Sequence, residues 1–423
     1  MQNINFKRSA PKSEISAGIS SRFGKLIAAI TQLLGRLSAV SFCCGVSVLV
    51  GPAIADADDL CLEARTYLQL VSRIRGLDAV KSFACRTENR YQVEAFITES
   101  ARERLPKDRL QNEEDLFLLL GVIPPGYNYF DGMVTLYTSQ LGGYYDPKTK
   151  TVVMADWMPP ALQRIIALHE LTHLLQDQRY NLDSLVGVSV TESDRALAHA
   201  ALVEGDASVV TLDIEQEERG LPPLAKLKSL KEVSSKSLSA SVVENRTIEY
   251  VPETLSLLVH FPYVEGAAFA HTLLASGGYG SIDAALKDPP TSTSEILHPE
   301  RYLRRIKGES AIKAALPPVP SEVVYSDVYG EFFIQALLAP TIKSVRTRAE
   351  LATNWVADKV YLLQQKEGKR RAQWHTVWIN KEAAELFANF LRMHIQGVRG
   401  VRFSNQGNKV TVNESIVIAE LEG

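Results

Sequence analysis

The sequence predicts an α+β fold, and three observations predict it. Apolar residues recur at helical spacing over 58–77, 160–180 and 196–207. Short stretches of strand character stand in clusters, at 91–98, 133–138 and 151–155, and again at 359–363 and 374–379. These clusters are segregated and do not alternate regularly with helices, which separates the class from a wound α/β sheet.

The 423 residues carry 46% hydrophobic and 22% charged side chains at a net charge of −3. That balance excludes a disordered chain, a collagen-like repeat and a disulfide-dense miniprotein. It also argues against a nucleic-acid binder, which needs a concentrated basic face. At roughly 150 residues per domain the length predicts two or three domains.

The first 55 residues read differently from the rest. They hold Lys7, Arg8, Lys12, Arg22, Lys25 and Arg36 against the single acid Glu14, followed by a mostly apolar run over 37–54. The run ends in Gly51-Pro52-Ala53-Ile54-Ala55, small residues behind a helix breaker. The order basic, apolar, small is that of an export signal, cut after Ala55 or Ala57. An uncleaved membrane anchor is the lesser reading. Phe42 before Cys43 argues against a lipoprotein acceptor cysteine. The expected location is therefore periplasmic or secreted. Two cysteines, Cys61 and Cys85, remain after cleavage; an oxidising compartment favours a disulfide, with two small buried hydrophobes as the alternative.

In order along the chain, Leu60, Ala64, Leu68, Val71 and Ile74 define the first helix. Residues 91–98 alternate like a strand, and 112–120 read as a helix that stops before Gly121. A strand at 133–138, a turn at 142–148 and a strand at 151–155 follow. Pro159-Pro160 opens the next helix. Residues 226–241 are Lys- and Ser-rich and read as a surface insertion or a weak helix, 289–294 as a loop, and 317–320 as a linker. Strands at 359–363 and 374–379, a helix at 382–393 and a hairpin formed by 401–403 with 410–412 complete the chain. The implied division is an export or anchor segment at 1–55, an N-terminal α+β region at 56–130, a core at 131–310 and a C-terminal α+β region at 311–423.

The core carries the chemistry. His169-Glu170-Leu171-Thr172-His173 is an HExxH match. Residues four apart stack on one helical face, so two imidazoles can grip one ion from a rigid turn while Glu170 faces the ion's water. Leu162, Ile165 and Ile166 lead onto the histidine face, and Leu168, Leu171 and Leu175 cover the other. A helix apolar on both sides is buried, and two unpaired histidines there are costly unless a metal removes the cost.

A third ligand has two candidates. Glu192 lies in the polar run Val190–Asp194, which reads as a helix entry where an acid suits the dipole. Glu204 lies in a strongly helical segment, sharing a face with Leu197, Ala201 and Ser208, and is the better candidate. Gly205 beside it costs about 1 kcal/mol inside a helix, which implies a close approach to a neighbour.

HELTHLLQDQ followed by ALVEGDAS resembles the gluzincin group of zinc metallopeptidases, whose third ligand is a glutamate. More narrowly, the chain is similar to a poorly characterised family of exported bacterial proteins with metallopeptidase domains, through 141–147, Phe261-Pro262-Tyr263, 289–293 with 296–302, and 354–358. The resemblance implies a gluzincin-like core with a central HExxH helix, a second ligand-bearing helix and a small mixed sheet. It implies zinc held by His169, His173 and Glu204, with Glu170 catalytic. The sequence departs from better-known gluzincins in a longer gap before Glu204. Ser208 also stands where some members carry an aspartate that orients a histidine. Asp177, one turn after His173, is read either as that orienting group or as a surface acid.

Tyr263 and His298 are the candidate oxyanion donors, each in a polar, Pro-containing segment, with packing and turn-capping as the plainer readings. The 151–155 strand is read either as an edge over the zinc, able to pair with an extended peptide, or as internal. His199, His260, His271, His375 and His394 have no ligand-like spacing, Glu265-Gly266 mimics the third-ligand pattern far downstream, and Trp374 and Trp378 read as packing. The expected function is an exported zinc metallopeptidase acting on a peptide or protein, without nucleic acid. A zinc-stabilised interaction module and a hydrolase of another amide are the alternatives.

Overall fold

In a computed structural model of the chain, the described residues are 57–79, 82–104, 108–186, 192–233, 251–308, 316, 318–365 and 368–395, with 402–406 and 412–421 described by backbone alone. The predicted export segment and most of the insertion at 226–241 lie outside them. The fold starts with helix α1 (Ala57–Arg75), whose Leu60, Ala64, Leu68 and Val71 are buried as their spacing requires. A disulfide between Cys61 and Cys85 ties it to strand β1 (Ala84–Glu88), with the Cα atoms 5.7 Å apart.

Two predicted strands are helices. Residues 91–98 fall in α2 (Arg90–Arg104). The Asn89 side chain accepts from the Gln92 amide at 3.1 Å, and Gln92 Oε1 accepts from the Asn89 amide at 2.9 Å. This reciprocal cap outweighs the apparent alternation. Val93, Phe96 and Ile97, at helical spacing, pack on Tyr144 and Val153. After α3 (Arg109–Leu119), which matches the predicted helix at 112–120, residues 133–138 fall in α4 (Tyr129–Gln140). There Asn128 accepts from the Asp131 amide at 3.1 Å and starts the helix.

The predicted turn at 142–148 is shifted. Its first half is strand β2 (Gly143–Asp146), and the reversal into β3 (Thr151–Ala155) comes later. There the Asp146 carboxylate accepts from the Lys148 amide at 3.0 Å and the Thr149 hydroxyl at 2.6 Å, and Lys150 takes φ 54°. The strand order is β1-β3-β2, with β1 parallel and β2 antiparallel to β3. The strand at 151–155 is therefore central, with all five residues buried, and β1 and β2 are the two edges.

Helix α5 (Pro160–Tyr180) has Pro160 in its first turn and ends at Asn181, φ 55°. Leu168, Leu171, Leu174 and Leu175 pack with Val152 and Met154 of the sheet and with Val210 and Ile214 of α6 (Ser193–Glu218). Helix α7 (Glu253–Gly277) crosses α6 in backbone contact. A Cβ on Gly205 would stand 2.1 Å from the Gly266 carbonyl oxygen, and one on Gly266 would stand 2.1 Å from that of Ala201. Gly205 is thus explained by close approach, and the Glu265-Gly266 pattern supplies the other half of the crossing.

Helices α8 (Tyr279–Lys287), α9 (Thr293–Leu297) and α10 (Pro299–Arg305) follow. Then β4 (Val323–Asp327), α11 (Gly330–Leu337), α12 (Val345–Ala352), β5 (Trp355–Gln364), β6 (Arg370–Trp378), α13 (Lys381–His394), β7 (Arg402–Gln406) and β8 (Val412–Leu421) close the chain. The second sheet is antiparallel, in the order β4-β5-β6-β8-β7. It holds the strands predicted at 359–363 and 374–379 and a final hairpin, in which Arg402 and Phe403 pair with Val417 and Ile416 and not with 410–412 as predicted. Trp374 and Trp378 are buried against Phe387 of α13, the packing role expected of them. The class is α+β, as predicted. Among the described residues, no helix is long and apolar enough to cross a membrane.

Candidate metal centre

Helix α5 sets His169 and His173 one turn apart, and α6 brings Glu204 against both. His169 Nε2 lies 2.9 Å from Glu204 Oε2, His173 Nε2 lies 3.4 Å from the same oxygen, and the two nitrogens are 3.1 Å apart. Donors bound at about 2.0–2.1 Å around one tetrahedral ion stand about 3.3–3.4 Å from each other. The three atoms are already near that spacing, and two imidazoles with a carboxylate are a donor set that borderline divalent cations prefer. The residues fit a metal ion. Among the described residues they form the one such cluster of three.

Glu192 is elsewhere: it precedes α6 and pairs with Arg195 at 2.7 Å. Asp177 does not orient a histidine. Its carboxylate accepts from the Tyr145 hydroxyl at 2.7 Å, Lys150 Nζ at 2.6 Å and the Leu182 amide at 3.0 Å. The group that does is Gln176, whose Oε1 meets His173 Nδ1 at 2.8 Å. Its amide nitrogen donates to the Val203 carbonyl at 3.1 Å and to Asp206 at 2.8 Å, both acceptors. The amide is thereby fixed with its oxygen toward the ring, so Nδ1 carries a proton and Nε2 faces Glu204. Asp206 is held in turn by the fully buried Arg75 of α1.

Burial opposes charge on this cluster, and the mutual attraction of its members overrides it. Burial draws the His173 imidazole down, but the Glu204 and Glu170 carboxylates carry it up to about 9. Burial raises the Glu204 carboxyl, yet the imidazoles hold it well below the usual carboxylate range. Glu170 differs: burial dominates and pushes its carboxyl up, against the pull of the histidines. The Tyr145 amide of β2 also bonds to it. Strand β2 can come so close because Gly143 has no side chain; a Cβ there would stand 2.8 Å from Ile166 of α5.

A cleft of about 90 Å³ opens on the site, lined by His169, Glu170, Gly143, Ile166, His260 and Tyr263 among others. Tyr263 sits on α7, its ring 6.3 Å from that of His169. The Glu204 charge, then burial, push its phenol well above the usual value, so the hydroxyl stays protonated. His298 is not brought to the cleft. It stands at the α9–α10 junction, where Nε2 meets the buried Glu331 carboxylate at 2.7 Å and the Thr353 hydroxyl at 3.0 Å. Its role is to join those helices to α11, which corrects the expectation of an oxyanion donor.

His260 reads in the sequence as an ordinary histidine, but it lies in the cleft wall one turn before Tyr263. Its Nδ1 is committed to the Ser256 carbonyl at 2.6 Å. Spacing to the motif could not reveal it, because α7 is remote in sequence; its position three residues before Tyr263 is the signal. His199 and His271 bond backbone carbonyls of Leu185 and Leu224, as ordinary buried histidines do.

Residues 135–231 match the model of a family described as a "putative metallopeptidase family". The matched segment runs from α4 through α6 and contains His169, Glu170, His173 and Glu204. The match supports a metallopeptidase, a hydrolase that works with a metal ion. No curated protein and no solved structure matches the chain.

Proposed function

We propose that the protein is an exported zinc metallopeptidase of gluzincin type, hydrolysing peptide bonds. The observation that carries this reading is the meeting of His169 Nε2, His173 Nε2 and Glu204 Oε2 beside the Glu170 carboxylate. Bound by those three atoms, zinc supplies Lewis acidity toward water and a peptide carbonyl. Glu170 is the general base: its carboxylate takes a proton from water and returns it to the leaving amine. A carboxyl raised by burial suits both halves of that exchange. Tyr263 donates its hydroxyl to the oxyanion that develops on the carbonyl, and His260, whose Nδ1 proton goes to the Ser256 carbonyl, presents Nε2 as an acceptor in the same wall. The edge strand β2 lines the cleft at Gly143, so an extended peptide can pair along it.

Export rests on the order of basic, apolar and small residues over 1–55, which also provides a membrane tether if it is not cut. A zinc-stabilised interaction module would close the coordination with a fourth side chain. Among the described residues the cluster holds three. The test is Glu170→Gln. Loss of roughly 10²–10⁴-fold in peptide hydrolysis, with one zinc still bound per chain, is expected. Undiminished proteolysis by the variant removes Glu170 as base, and a protein that takes up no zinc removes the enzyme reading altogether.

A further inference from the structure

Glu204 belongs to two spaces at once. Besides its place in the triad, it lines a second cavity of about 360 Å³, four times the volume of the cleft over His169. Tyr137, Val259 and Tyr263 line both, so the two are contiguous. On α6 the cavity is bordered by Ser193, Leu197, Ala200 and Glu204, one stripe of that helix. At 1.5 Å per residue the stripe extends about 16 Å from the triad. The opposite walls are apolar, with Phe117, Leu255, Leu258 and Phe333. Two acidic residues line it, Glu204 and Glu113, and no cationic side chain does; burial pushes the Glu113 carboxyl up to about 7.

We infer that this cavity is the specificity pocket for a bulky, apolar, uncharged side chain next to the scissile bond. The inference rests on the peptidase reading of the adjoining site and names its substrate class: peptide segments rich in large aliphatic or aromatic residues. The volume lies within the range of sites that enclose a small ligand. An apolar side chain gains about 25 cal/mol for each Å² it removes from water there. An acidic side chain would leave water for a mostly apolar wall in which no lining side chain is cationic, and is disfavoured against an apolar one. Ala200, one turn before Glu204, lines the α6 wall with only a methyl group, so a larger side chain there takes up pocket volume.

The test uses the full-length zinc-loaded protein and three hexapeptides, with phenylalanine, glycine or glutamate flanking the central bond. The wild type is expected to cleave the phenylalanine peptide at least about tenfold faster, in kcat/KM, than the glycine peptide, and the glutamate peptide slowest. In Ala200→Phe, which fills part of the pocket, the phenylalanine-to-glycine ratio falls toward one. Ala200→Leu gives an intermediate ratio and serves if the larger side chain impairs folding. Cleavage without preference in the wild type, or an unchanged ratio in both variants, overturns the pocket while leaving the peptidase intact. If the wild type cleaves none of the three, the peptidase reading fails, and binding of the same peptides to metal-free protein decides the pocket. At least tenfold tighter binding of the phenylalanine peptide, lost in Ala200→Phe, sustains it; equal binding of phenylalanine and glycine peptides ends it.

Discussion

Gln176 Oε1 stands 2.8 Å from His173 Nδ1, and both amide protons of Gln176 point at acceptors, the Val203 carbonyl and Asp206. A neutral amide therefore sets the ring orientation, one residue before Asp177, the acid that the sequence offers as one of two readings for that role. Gln176→Leu keeps the volume and removes the anchor. Metal affinity is expected to fall by about 10–100-fold, the usual cost of losing such a partner. Competition against a chelator of known affinity measures it. Unchanged affinity shows that packing alone orients His173.

In the metal-free protein the triad holds a proton, and this fixes how stability varies with pH. His173, raised to about 9 from 6.5, lends stability fully below 6.5 and loses it as pH rises through 9. Glu204, depressed from 4.5, lends stability above 4.5 and loses it as pH falls toward its folded value. Together they favour the metal-free fold most between 4.5 and 6.5. A metal must displace that proton, so apparent affinity rises by up to about tenfold per pH unit until 9. The gap in melting temperature between metal-loaded and metal-free protein is expected to widen from pH 6.5 to 9. A gap that narrows over this range contradicts the protonated pair.

What the sequence makes legible follows from how locally each feature is specified. The i, i+4 histidines and the apolar faces of α5 are short-range facts, and so the central helix and its buried setting could be read directly. Gly205 pointed to a tight helix crossing because its presence inside a helix needs a reason, although the partner, Gly266, could not be named. Alternating apolar residues misled at 91–98 and 133–138, where the caps at Asn89 and Asn128 decide for helix. Both caps are written in the sequence, Asn89 with Gln92 and Asn128 with Asp131, and their hydrogen bonds outweigh alternation over a few residues. The anchor of His173 is not legible in the sequence for a different reason. Asp177 is a charged residue at ligand-supporting spacing, whereas only the packed structure shows that α5 turns it toward Lys150 and turns Gln176 toward His173. His260 and the pocket beside Glu204 depend on α7 crossing α6, a contact between segments about sixty residues apart that no local pattern encodes.

The same line of contacts carries a prediction about the N-terminal helix. Arg75, the last residue of α1, is fully buried; its Nε donates to Asp206 at 2.9 Å and its Nη2 to Asp283 at 2.7 Å. Asp283 also accepts from the Tyr180 hydroxyl at 2.6 Å, so α1, α5, α6 and α8 meet at one ionic node. Removing one member of a buried pair strands the other, at about 3–5 kcal/mol, whereas replacing both with apolar groups is often neutral. Arg75→Met is therefore expected to lower the unfolding free energy by about 3–5 kcal/mol in a urea titration. Arg75→Met with Asp206→Leu is expected to recover much of that loss, with Asp283 still neutralised less well than before. In the double variant Gln176 loses its bond to Asp206 but keeps the one to Val203, so His173 remains anchored and metal affinity falls less than in Gln176→Leu. A double variant as unstable as the single one shows that Arg75 acts through Asp283 and not through Asp206. Metal binding that drops as far as in Gln176→Leu shows instead that Asp206 is the element on which the histidine's orientation depends.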